Sequence, residues 1–111
     1  VVAAISRELF DLQPESYRRA VLSPADQVDS MCITNTARRL MHDWLSNWVA
    51  EEYTLSSDWD DRWRTGGTVD EVLDEAHLSP QHSLAGIERF VREREQRLER
   101  ICAGVTEARN R

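Results

Sequence analysis

The alternation of short apolar runs with helical stripes predicts an α/β fold, three α/β/α layers around a small mixed sheet, closed by a long C-terminal helix. Three observations carry this expectation. The runs Val1–Ile5, Gln27–Thr34 and Glu52–Ser57 have strand length. Between and after them lie segments with apolar residues three and four apart, several opened by Ser, Thr or Pro. At 111 residues, 41% hydrophobic and 31% charged, the chain has room for a single core.

Val1-Val2-Ala3-Ala4-Ile5 is short and continuously apolar, as a strand buried on both faces would be. Ser6 can cap a helix over Arg7–Leu12, and Pro14 suits the first position of a second helix reaching about Leu22, where its missing N–H is not needed. Ser23-Pro24 then reads as a break, and Gln27–Thr34, with Val28, Met31, Cys32 and Ile33, as a second strand. Thr36 is a candidate cap for a helix carrying Leu40, Met41, Trp44, Leu45, Trp48 and Val49 along one stripe. Glu52–Ser57 reads as a third strand ending in the acidic turn Asp58–Asp61, and Arg64–Gly67 as a loop. Thr68-Val69-Asp70-Glu71 is a capping box for a helix to about Ala76. Ser79-Pro80 opens the last helix, whose stripe Leu84, Ile87, Val91, Leu98, Ile101 and Val105 is interrupted where Arg94 takes the apolar slot. The pattern divides the chain into a domain over residues 1–90 and a helical extension over residues 91–111.

The net charge is −6, and all 14 basic residues are Arg. An acidic chain is ill-suited to neutralising phosphates, so nucleic acid and anionic membranes are not expected partners. Without Lys, neither a Schiff base nor a P-loop is available. Cys32 and Cys102 are too far apart in sequence for a CxxC pair, and their apolar neighbours suggest buried thiols in a reducing compartment. No secretory signal pattern precedes them, which points to the cytoplasm. The start at Val1, without Met and directly on a strand-like run, suggests a piece of something longer.

His42, His77 and His82 have no metal-ligand spacing and read as structural or surface groups. His77 and His82 flank the helix start at Ser79, where a small anion can meet free amides. Asp58, Asp60 and Asp61 lack the Gly and distant Glu of a calcium loop and read as a solvated turn. Gly66-Gly67 reads as a turn with positive φ rather than a phosphate cradle. A small hydrolase would rest on scattered His and Asp residues without a recognisable nucleophile and base. Trp44, Trp48, Trp59 and Trp63 form two pairs at four-residue spacing. They admit two readings: an interface, where Trp concentrates binding energy, or a core helix and a tucked loop. With Leu98 and Ile101 of the terminal helix they are the candidate interface residues; no catalytic, cofactor-binding or metal-ligating residue is assigned.

The segment Glu8–Leu22, ELFDLQPESYRRAVL, resembles the LFDxQ…YRxxVL stretch of transketolase C-terminal domains, where it also follows a strand. Asp61–Gly67, Val69–Ala76, Leu78-Ser79-Pro80 and Leu84–Phe90 are similar in order and spacing to that family's closing loop and helices, although Trp63-Arg64 stands where the family prefers Phe-Gly. The resemblance implies a transketolase C-terminal-like α/β domain that starts at its second strand. It further implies a non-catalytic domain or subunit of a thiamine-diphosphate-dependent, ketol-transferring enzyme. Its role would be structural, within an oligomeric assembly, and thiamine diphosphate and a divalent metal would sit on partner domains. The alternative is a stand-alone interaction or dimerisation module that uses the Trp pairs and the terminal helix.

Overall fold

The computed structural model describes residues 1–45 and 47–111 and is dominated by helices. They are α1 (Arg7–Asp11), α2 (Glu15–Val21), α3 (Pro24–Val28), α4 (Trp48–Glu51), α5 (Val69–Glu75), α6 (Pro80–Arg92) and α7 (Arg94–Arg109), with a 3-10 turn at Arg38–Met41. Two strands of two residues, β1 (Ile33–Thr34) and β2 (Leu55–Ser56), pair in parallel, Ile33 opposite Leu55 and Thr34 opposite Ser56. The three-layer α/β/α fold with a mixed sheet is therefore not formed.

Each departure has a physical cause. Val1–Ile5 gains no sheet neighbour, and Val1, Val2 and Ile5 stay exposed in non-regular backbone. Ser23-Pro24 starts a helix instead of ending one: the Ser23 hydroxyl accepts the Asp26 amide, the Asp26 carboxylate accepts the Ser23 amide, and Pro24 occupies the first helical position. The residues expected to begin the second strand are thereby spent on α3. Thr36 does not cap a helix, because its hydroxyl and its amide both bond Thr34 Oγ1. The expected long helix becomes the 3-10 turn and, after Ser46, which lies outside the described residues, the short α4. Asn47 caps α4, accepting the Ala50 amide at 2.8 Å and donating to the Val28 carbonyl. The last helix is two helices, α6 and α7, with Glu93 leaving helical geometry at φ −94°, ψ 18°.

Where sequence signals are local they hold. Ser6 caps α1, the Thr68/Glu71 box caps α5, and Ser79 with Pro80 opens α6. Gly66 and Gly67 do not take positive φ; Asp61 (54°) and His77 (56°) do. Neither cysteine is buried, Cys32 being half-buried and Cys102 exposed. Gly104, within α7, has open space where a Cβ would stand. Gly104→Ala is therefore expected to stabilise the chain by about 0.5–1 kcal/mol, read by urea denaturation followed by circular dichroism.

The core is small and lies where α4, β2 and the α6–α7 junction meet. Among the described residues, Val49, Ala50, Tyr53 and Ala76 are the buried hydrophobic ones, and Thr54, Ser56, Ser79 and Arg97 are buried with them. Gly86 of α6 sits so close to Leu55 that a Cβ there would be 2.7 Å from Leu55 Cδ1. That contact sets which face of α6 looks inward.

Candidate interaction surface

Arg97 is the largest fully buried side chain, at 0% exposure. Its Nε donates to Asp29 Oδ1 at 2.6 Å and its Nη1 to the Phe90 carbonyl at 2.7 Å. The guanidinium lies 3.6 Å from the Phe90 ring centroid and 4.9 Å from that of Tyr53, and the two rings meet edge-on at 5.7 Å. The break at Glu93 is held by the same cluster, because the Tyr53 hydroxyl donates to Glu93 Oε2 at 2.7 Å. Arg94, expected to disturb the apolar stripe, reaches outward to Asp29 Oδ2 with its side chain 65% exposed. Sequence reading missed Arg97, and the signal available was a lone Arg between aromatic and apolar positions of an amphipathic helix.

This charged core ties the titration of the chain to its stability. The Tyr53 hydroxyl and then Arg89 hold the Glu93 carboxyl below the usual range, and hydrogen bonds from Arg100 do the same for Glu52. The Thr68 amide and hydroxyl lower Glu71, and the Ser56 hydroxyl and Arg38 amide lower Asp58. Groups lowered in the fold contribute above their unfolded values, so this stability is lost as pH falls below about 4. The Tyr53 phenol is raised, first by its hydrogen bond to Glu93 and then by burial, so its contribution is lost as pH rises past about 10. The thermal midpoint from pH 3 to 11 is expected to show a plateau falling at both ends, with Tyr53→Phe flattening the alkaline limb. A midpoint that rises on acidification contradicts this.

The four tryptophans are not brought together. Trp44 is half-buried, 5.6 Å from Phe10, with the Arg7 guanidinium over both rings. Trp48, at the start of α4, is 60% exposed beneath Arg100, which forms two hydrogen bonds to Glu52. Trp59 stacks on His77 at 3.9 Å and donates its N–H to the Glu75 carbonyl. Trp63 is 97% exposed. Trp48, Trp59 and Trp63 are thus exposed, Trp59 at 43%, which fits neither a core helix nor a tucked loop for these three. Leu98 and Ile101 are half-buried on α7.

The titratable groups form no reactive arrangement among the described residues. His77 also stacks on His82 at 4.5 Å. His82 Nδ1 is 2.7 Å from Ser79 Oγ and 3.7 Å from Asp74 Oδ1, so hydroxyl and carboxylate face one ring nitrogen and cannot form a relay through the imidazole. Ser79 Oγ is in any case the cap of α6. Asp60 is paired by Arg62 and Arg64, and Asp58 accepts the Arg38 amide. Among the described residues no three His, Cys, Asp or Glu side chains gather to hold a metal ion.

What the surface does offer is apolar area. Leu9, Leu12, Ile33, Leu40, Val69 and Val105 are all exposed, as are Leu84, Ile87 and Val91 of α6. The accessible surface is 8294 Å², against about 6,300 Å² for a compact monomer of 12.9 kDa. The radius of gyration, 15.8 Å, exceeds the roughly 13 Å of a compact domain of this length. No helix among the described residues is long and apolar enough to cross a membrane. Comparison with known proteins finds no family model, no curated protein and no solved structure that matches the chain.

Proposed function

We propose that this chain is a non-catalytic interaction module, whose fold is completed by packing against another polypeptide. The observation that carries the reading is the excess of about 2,000 Å² of exposed surface over a compact monomer, rich in large aliphatic and aromatic side chains. A chain with so few buried hydrophobic residues gains most from covering that surface, at about 25 cal/mol per Å² of apolar area removed from water. The resemblance carried by Glu8–Leu22 makes a thiamine-diphosphate-binding polypeptide the first partner class to try, with this chain supplying assembly rather than chemistry.

The test combines dye binding with mass. The isolated chain is expected to bind an apolar dye such as ANS strongly, and to lose that signal on forming a complex. A folded chain that stays at 12.9 kDa and leaves the dye dark would sink the interaction reading. If it binds the dye but does not co-purify with a thiamine-diphosphate-binding partner, the transketolase-type assignment alone is lost.

A further inference from the structure

We infer that the bend between α6 and α7 is a side-chain latch: Arg97 and Tyr53 hold apart a helix that, once released, runs unbroken from Pro80 to Arg109. Nothing in the local sequence calls for the bend. Phe90-Val91-Arg92-Glu93-Arg94-Glu95-Gln96-Arg97 contains no Pro, Gly or Ser and consists mostly of strong helix formers. Arg89 and Glu93 form an i,i+4 ion pair at 3.4 Å, which supports a helix continuing through the junction. A sharp kink without a helix-breaking residue arises where a side chain enters the ladder of backbone bonds. That is the arrangement found. In an unbroken helix the Phe90 carbonyl accepts the Arg94 amide. Here it accepts Arg97 Nη1 at 2.7 Å. Among the described residues, no backbone bond runs from Arg94, Glu95 or Gln96 to the residue four before it.

The break is confined to one residue. Glu93 sits at φ −94°, ψ 18° while its carboxylate accepts the Tyr53 hydroxyl. On either side the ladder is intact: the Glu93 amide donates to the Arg89 carbonyl and the Glu93 carbonyl accepts the Arg97 amide, each at 3.0 Å. Straightening therefore asks Glu93 alone to take helical torsions, and it restores the three missing bonds. What opposes it comes from the rest of the chain. Asp29, just past the end of α3, fixes Arg97 Nε at 2.6 Å, and Tyr53 follows α4. Loosening the packing of these segments on the terminal helices thus releases the latch. Glu93 and Arg97 then stand at i,i+4 with the Glu first, the favourable order for a surface pair, so neither charge is stranded. The straight form from Pro80 to Arg109 spans about 45 Å.

The experiment is a pulsed electron paramagnetic resonance distance in the full chain, between spin labels on the exposed Cys102 and on Gln81→Cys, with Cys32→Ser to keep labelling specific. In a straight helix these positions are about 32 Å apart along the axis. With the latch in place a single, shorter separation is expected. Arg97→Met with Asp29→Leu removes the latch without leaving an unpaired charge; it should lengthen the separation to about 32 Å and raise the helical circular dichroism. Adding Glu95→Pro should restore the shorter distance, because a proline is tolerated in the first turn of α7 but not inside one continuous helix. Four results would each overturn the inference. The latched chain already measures about 32 Å. The double variant keeps the short separation, or Glu95→Pro fails to restore it. The double variant loses its cooperative urea transition, so that Arg97 holds the fold rather than the bend. Glu95→Pro alone abolishes the helical signal, which places Glu95 within an unbroken helix from the outset.

Discussion

Replacing Arg97 by alanine is expected to cost about 3–4 kcal/mol and to lower the thermal midpoint by about 10–15 °C. The guanidinium is fully buried, and its loss removes the partner of Asp29, the donor to the Phe90 carbonyl and the cation over the Phe90 ring together. A truncation that strands a largely buried carboxylate is costlier than the net value of the pair, because the remaining charge keeps its desolvation penalty. Arg94 also reaches Asp29 and moderates the loss. Its own removal should matter little, about 0–1 kcal/mol, since its side chain is 65% exposed. The double change Arg97→Met with Asp29→Leu removes both charges and should recover most of the stability. Urea denaturation of these variants beside the wild type decides the matter: a loss below about 1 kcal/mol for Arg97→Ala would mean that the cluster does not hold Asp29 at the end of α3, Tyr53 and the α6–α7 junction together.

Gly86→Val is expected to be the second most damaging change, at about 1–3 kcal/mol. On helix propensity alone Gly86→Ala should help by up to about 1 kcal/mol, as argued for Gly104. At Gly86, however, a Cβ would meet Leu55 Cδ1, Cδ2 and Cγ at 2.7, 3.1 and 3.2 Å. The whole end of the Leu55 side chain must then move, and it belongs to the short strand β2. Opposite signs for alanine at the two glycines are therefore expected, and the penalty of Gly86→Val should shrink in a Leu55→Ala background. If both alanine variants stabilise equally, the close approach of α6 to β2 is not what leaves Leu84, Ile87 and Val91 outside.

The cap signals were legible because each depends on residues three or four apart. Ser6, Thr68 and Ser79 mark helix starts through hydrogen bonds between side chain and nearby amides, which no distant contact needs to supply. Reading failed where a segment's state depends on a distant partner. Val1–Ile5 has strand composition but no neighbouring strand, and an apolar run without a ladder leaves its backbone groups to water. The stripe from Leu40 to Val49 satisfies helical spacing, yet Thr36 bonds Thr34 and Asn47 bonds Val28, which restarts the helix at Trp48. Ser23-Pro24 was ambiguous in itself, since the pair that ends one helix is also a good start for the next.

Sequence by itself therefore determined where α1, α5 and α6 begin, the acidic balance, and the set of large apolar side chains available for contact. The tertiary structure alone decided which of those side chains are spent inside. It sealed the core with Arg97 and put Gly86 against Leu55, leaving Leu84, Ile87 and Val91 outside. The physical reason is that periodicity names a helix face but not its direction. Direction is set by the closest packing the neighbouring backbone permits, and at α6 that is the glycine side.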